Sequence, residues 1–243
     1  KRKEGLEKLT AATGIAKGRD EQERVARERE NLSEIFYTNE TFQQYQNGLN
    51  YLRLERSSSA VEALEKALKT EPENILVLTA YARALHSEER PQEALSALER
   101  AFTLNDAKTE VRVELAELTL TQNPERVLQL LKPLFQLEAD ERALCLQAQA
   151  LAALKRNREA TEQLRSALER HPDWLYAMFW LGKLYSAESN GGWNARKYLM
   201  TFLKRTESLA EKEVRDMSPE DRRLRLTRTE AETILTRVNQ SLQ

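Results

Sequence analysis

Small residues recur in helical surroundings at Gly48, Ala82, Ala116, Ala148 and Gly182, at intervals of 34, 34, 32 and 34 residues. Three residues after each stands Tyr51, Leu85, Thr119, Leu151 or Tyr185, and a second segment then supplies Ala60, Ala94, Val127, Ala160 or Ala195. Four residues further come Leu64, Leu98, Leu131, Leu164 and Leu199, and three beyond those Ala67, Ala101, Leu134, Ala167 and Phe202. Offsets of three and four put these positions on one face of an α-helix, so the pattern predicts pairs of helices with narrow apolar stripes. One pair cannot hide such a stripe alone. Stacking on the next pair removes it from water at about 25 cal/mol per Å², and small residues at the crossing points let the backbones approach.

Pro72 and Pro172 end two of the second helices, since proline lacks the amide donor and clashes with the preceding turn. Asp106 and Ala139 occupy the matching places elsewhere. Gly48, Tyr51, Ala60, Leu64, Ala67 and Pro72, and again Ala148, Leu151, Ala160, Leu164, Ala167 and Pro172, resemble the motif of the tetratricopeptide repeat family. The likeness runs from Thr41 to Thr206. It implies an all-α fold, a right-handed superhelical solenoid of five helix-turn-helix repeats at 41–74, 75–108, 109–140, 141–174 and 175–206.

The copies are not equal. The second lacks only the terminal proline. In the third, Thr119 replaces a bulky residue, the internal turn is one residue short around Asn123 and Pro124, and Pro133 falls inside the second helix, which predicts a kink. The fifth has an extra residue in its Asn190-Gly191-Gly192 turn and Phe202 at the last crossing, as expected of a terminal repeat that meets a cap.

Flanking helices are expected on both sides. Residues 1–19, with Lys1, Arg2 and Lys3 at the start and glycines at Gly5, Gly14 and Gly18, read as a flexible leader. Residues 20–40 hold an N-terminal helix, from Asp20 to Tyr37, whose Val25, Arg29, Leu32 and Phe36 share one edge that covers the first repeat or, alternatively, joins a partner in a coiled coil. In 207–243, Ser218, Pro219, Glu220 and Asp221 make a helix start. Leu224, Ala231, Leu235, Val238 and Leu242 then form a seam for capping the fifth repeat, with a dimer through that terminal helix as the alternative.

Composition narrows the class. Gly 7 and Pro 6 in 243 residues are too few for the turns of a sandwich or barrel, and 38 basic against 39 acidic residues give no overall pull toward nucleic acid. Charge is regional: residues 73–140 hold 7 basic and 12 acidic residues, 141–206 hold 11 and 6. No run of 18 apolar residues occurs. The chain starts at Lys1 without methionine, so it reads as a fragment; a signal or anchor upstream would place it in a bacterial periplasm or envelope, and otherwise the cytoplasm is expected.

Catalytic chemistry has little to stand on. His86 and His171 are far apart, no Cys or His cluster has metal-ligand spacing, and no phosphate-binding glycine loop is present. The single cysteine, Cys145, sits in an apolar helix and reads as an inert buried thiol. Neither enzyme activity, nor a metal, nor a cofactor, nor a small-molecule substrate is expected.

The resemblance instead implies a scaffold or adaptor whose first helices line a concave groove for protein or peptide segments. Carried over position by position, the groove residues are Phe42, Tyr45 and Leu49; Leu76, Thr79, Arg83 and His86; Val113 and Glu117; Arg142, Cys145 and Gln149; and Tyr176, Phe179 and Lys183. The carboxylate clamp of chaperone-binding relatives is missing, because Tyr45, Leu49, Ala80, Glu110 and Glu114 stand at its places. Aromatics at both groove ends suit an amphipathic helix or extended apolar peptide, or else pack under flanking helices. Two alternatives are an envelope-assembly factor tethered or exported through an N-terminal segment, and an RNA-associated helical repeat using Arg222, Arg223, Arg225 and Arg228.

Overall fold

The computed structural model describes residues 36, 38–136, 140–211 and 217–242. The leader and the expected N-terminal helix lie outside the described residues, apart from Phe36 and the segment from Thr38 onward. Every regular element among the described residues is helical. The chain divides into two compact units, one ending at Leu118 and the other beginning at Thr119.

The first unit contains α1 (Asn39–Arg53), α2 (Ser57–Thr70), α3 (Ile75–Ser87), α4 (Pro91–Leu104) and α5 (Thr109–Thr119), the last ending at its border. Consecutive helices pack on one another from α1 to α4, and α1 also touches α3. The small residues allow the close crossings expected of them: Gly48 is buried, and a Cβ there would lie 2.5 Å from Cγ of Leu64. Helix starts are well specified. Thr38 Oγ1 accepts the amide of Thr41 at 3.0 Å, and Asn74 Oδ1 accepts the amides of Leu76 and Val77 at 3.1 and 3.4 Å.

Three turns share one geometry. Glu55, Glu89 and Lys155 have φ of 56°, 58° and 61°, and each sits at the left-handed position that ends a first helix. The amides of Arg56, Arg90 and Arg156 return to the carbonyls of Tyr51, Leu85 and Leu151 at 2.9, 2.9 and 2.8 Å. This is the six-to-one hydrogen bond that closes a helix end before the chain reverses. Each of these arginines is then the N-cap of the following helix.

The second unit contains α6 (Pro124–Leu131), a 3₁₀ segment (Lys132–Gln136), α7 (Glu141–Ala153), α8 (Asn157–Arg170), α9 (Leu175–Ser186), α10 (Gly192–Arg205), the short α11 (Ser208–Glu211) and α12 (Pro219–Ser241). The irregularity expected at Pro133 takes the form of a helix that stops at Leu131 and continues as 3₁₀ turns. In the glycine turn before α10, a Cβ on Gly191 would lie 2.0 Å from the carbonyl oxygen of Tyr185, so no side chain fits there.

Helix α9 packs on both α7 and α8, and α12 packs in the same way on both α9 and α10. The C-terminal helix thus takes the place that the first helix of a further repeat would occupy. Its start is a capping box in which Ser218 Oγ accepts the Asp221 amide at 3.1 Å. Leu224, Ala231 and Val238 are buried, and Leu224 and Ala231 join Met178, Phe179, Leu199 and Phe202 in one apolar cluster. The seam read as a dimer alternative is therefore in use within the chain.

Candidate functional site

In the first unit the groove positions fall on α1, α3 and α5. Phe42, Tyr45 and Leu49, at offsets of three and four, share one side of α1. Phe42 is 45% exposed, and Tyr45 and Leu49 are half-buried. The ring of Phe36 stands edge-on to Phe42 at 5.3 Å and tilted against Tyr45 at 5.0 Å, so chain preceding α1 reaches this face.

On α3, Leu76 is half-buried and His86 is exposed, whereas Thr79 is buried with its hydroxyl donating to the Ile75 carbonyl at 2.8 Å. Arg83 reaches across to α5: its Nε donates to Glu114 Oε1 at 3.1 Å and its Nη2 to Glu110. The two acids standing at clamp positions thus hold an arginine of the neighbouring helix. Val113 is buried, and Glu117 is half-buried.

In the second unit Arg142 and Gln149 on α7 and Tyr176 on α9 are half-buried, while Cys145 and Phe179 are buried. Burial, followed by the charges of Glu141 and Asp140, pushes the Cys145 thiol well above its usual range. The thiolate needed of a nucleophile is therefore disfavoured. Among the described residues no group of His, Cys, Asp and Glu is arranged to hold a metal ion.

Phe179 rests against Phe202 and Trp180, with centroids 5.7 and 5.6 Å away, inside the cluster that α12 closes. Lys183 lies 4.5 Å over the Trp180 ring and donates to Glu230 of α12 at 2.6 Å. The last first helix of this unit is thus covered by the chain's own C-terminal helix.

The arginine cluster on α12 is largely spent on structure. Arg228 donates to the Leu203 carbonyl and to Thr206 Oγ1, the latter at 3.2 Å, and pairs with Glu232 at 3.1 Å. Arg222 donates to the Met217 carbonyl at 3.3 Å and Arg225 approaches Met217 Sδ at 3.9 Å. Arg223 is exposed. Three of the four guanidinium groups thus brace the start of α12 and its seat on α10.

Two supports of the site carried no sequence signal. Glu71 and Asn74 are buried polar residues that meet at 3.0 Å, and Glu71 Oε1 also accepts the Thr38 amide at 3.3 Å, tying the end of α2 to the start of α1. Glu141 of α7 accepts the Ala177 amide at 3.0 Å, capping α9 from the preceding repeat where Trp174 offers no side-chain oxygen.

Two stretches of the sequence, residues 45–107 and 145–189, match the tetratricopeptide repeat family model, one in each unit. No curated protein matches the sequence. Among solved structures, PilW, a widely conserved type IV pilus biogenesis factor, is 17% identical with a TM-score of 0.62 over 85% of this chain and 93% of its own. A thermophilic TPR protein of Thermus thermophilus is 17% identical with a TM-score of 0.60 over 79% and 99%. MamA is 18% identical with a TM-score of 0.57 over 74% and 98%. At such identities the likeness is one of fold. With stacked hairpins in both units and a family match over 45–107 and 145–189, the chain carries tetratricopeptide repeats in each unit.

Proposed function

We propose that the chain is a non-catalytic scaffold that binds a protein segment against the first helices of its first unit. The observation that carries this reading is the apolar side of α1, where Phe42, Tyr45 and Leu49 keep accessible surface beside α3 with its exposed His86. An aromatic ridge of this kind suits the apolar face of an amphipathic helix or an extended peptide. Thr79 and Val113 are buried and offer no accessible surface, and Arg83 is held by Glu110 and Glu114. The acidic balance of residues 73–140, with 7 basic and 12 acidic groups, favours a segment that carries basic residues beside its apolar ones.

The second unit offers Arg142, Gln149 and Tyr176 as a smaller contact set of its own. Phe179 and Lys183 serve the docking of α12 there. The test is capture of binding proteins from native extract by the full chain and by Tyr45→Ala/Leu49→Ala, two changes that keep good helix formers on α1. Capture weakened about tenfold or more, with unchanged circular dichroism, supports the reading; undiminished capture refutes it.

A further inference from the structure

Helix α10 turns Ala195, Leu199 and Phe202 into the core, all at 0% exposure. Its opposite side carries Trp193, Lys197, Met200 and Lys204, whose offsets of four, three and four keep them in one stripe. Trp193 is 68% exposed and Met200 49%, two of the most exposed large apolar side chains in the described residues. From Ser189 to Thr206 the sequence contains Arg196, Lys197, Lys204 and Arg205 and no acid.

These cations differ from others on the molecule. Arg83, Arg90, Arg156, Arg158 and Lys183 each close on a carboxylate. Arg196 instead lies 5.8 Å over the Trp193 ring and Lys197 5.4 Å over the Tyr198 ring, while Arg205 donates to the Pro172 carbonyl at 2.6 Å. The stripe is thus a ridge of positive charge with apolar side chains set into it, about 17 Å long at the rise of an α-helix.

We propose that this face of α10 docks on an anionic lipid surface. Charge complementarity selects the occupant. Lipid phosphates answer the lysines, the indole of Trp193 suits the headgroup level, and Met200 reaches toward the acyl boundary. A helix lying in the plane of the interface needs no enclosing walls, and Trp193 and Met200 stand exposed among the described residues. The stripe shares no residue with the peptide-binding face proposed on α1 and α3.

The test is flotation of the full chain with vesicles of phosphatidylcholine containing phosphatidylglycerol, and with phosphatidylcholine alone. Binding is expected only to the anionic vesicles and weakens as salt is raised. Lys197→Gln/Lys204→Gln is expected to lower it about thirtyfold, each lysine contributing about 1 kcal/mol near such a surface. Trp193→Ser/Met200→Ser, which alters only outward side chains, lowers it as well without changing the circular dichroism.

Absence of flotation, equal flotation with neutral vesicles, or flotation unchanged by either double substitution overturns the proposal. So does an unsubstituted chain that fails to float but forms a dimer which the substitutions convert to a monomer on size exclusion, a result that would assign the ridge to a second copy of the chain.

Discussion

Lys183 of α9 donates to Glu230 of α12 at 2.6 Å, matching Arg83 of α3, which donates to Glu114 of α5 at 3.1 Å. Both cations follow the small crossing residue of their helix, Gly182 or Ala82, and both reach the next first-type helix. The C-terminal helix is thus attached by the same kind of contact that joins one repeat to another. The ion pair is half-exposed and contributes little, whereas the apolar seam is buried. Lys183→Ala is expected to change stability by less than about 0.5 kcal/mol. Leu224→Ala is expected to cost about 2–3 kcal/mol. Urea denaturation followed by circular dichroism measures both, and equal costs would contradict the seam as the source of docking energy.

Gly48 and Gly182 are fixed by crowding. A Cβ on Gly48 would meet Cγ of Leu64 at 2.5 Å, and one on Gly182 would meet Cγ of Leu199 at 2.8 Å. Both leucines are fully buried, so neither can swing away. Alanine has the better helix propensity by about 1 kcal/mol, yet Gly48→Ala and Gly182→Ala are each expected to destabilise, by about 1–3 kcal/mol net. An increase in the thermal midpoint of either variant would refute the close crossing.

Glu55, Glu89 and Lys155 occupy a conformation that suits glycine. Replacing each by glycine is expected to stabilise by about 0.5–1 kcal/mol, because the left-handed penalty of a side chain is removed. Urea midpoints of the three single variants check this, and a uniform fall would show the turns to be relaxed as they are.

Arg90 and Arg156 grip the carboxylates three residues on, Glu93 and Glu159, through Nε at 2.7 Å in both cases. These contacts hold both carboxyls below their ordinary range. In the first repeat the matching pair is Arg56 and Ser59. Ser59→Glu is expected to supply the missing partner at the positive end of α2 and raise the thermal midpoint. The gain should vanish in an Arg56→Ala background; a gain that persists there would come from the helix dipole alone.

Tyr81 donates to Glu65 at 3.0 Å, and burial together with this contact raises the phenol from 10.0 to about 12. The folded chain therefore holds this proton more tightly than the unfolded one. The stabilisation is complete below pH 10 and is lost as pH rises from 10 toward 12. Tyr81→Phe is expected to lessen the fall in urea midpoint across that window, and an identical profile in both proteins would deny the linkage.

The repeat phase, the small crossing residues and the start of α12 were legible because each rests on a local rule: apolar offsets, steric size or capping chemistry. Thr79, Val113 and Phe179 fell at groove positions by register alone, and the structure buries them, since exposure depends on which neighbour covers a helix. The C-terminal seam predicts a cap over the fifth repeat, but which side chains of α9 it covers, Phe179 among them, is such a non-local fact. The left-handed turns escaped notice because Glu and Lys stand where glycine would have marked them. The lock of Glu71 on Asn74 and Thr38 joins residues 33 apart and follows no pattern of apolar positions.

Peptide capture by the first helices of the first unit is tested most directly by site-specific photocrosslinking in native extract. A benzophenone side chain is placed at Leu49, on the proposed face, or at Lys66, exposed on α2. The account predicts discrete crosslinked partners from position 49 and none of those partners from position 66. Crosslinks equal at the two positions, or confined to position 66, would contradict it.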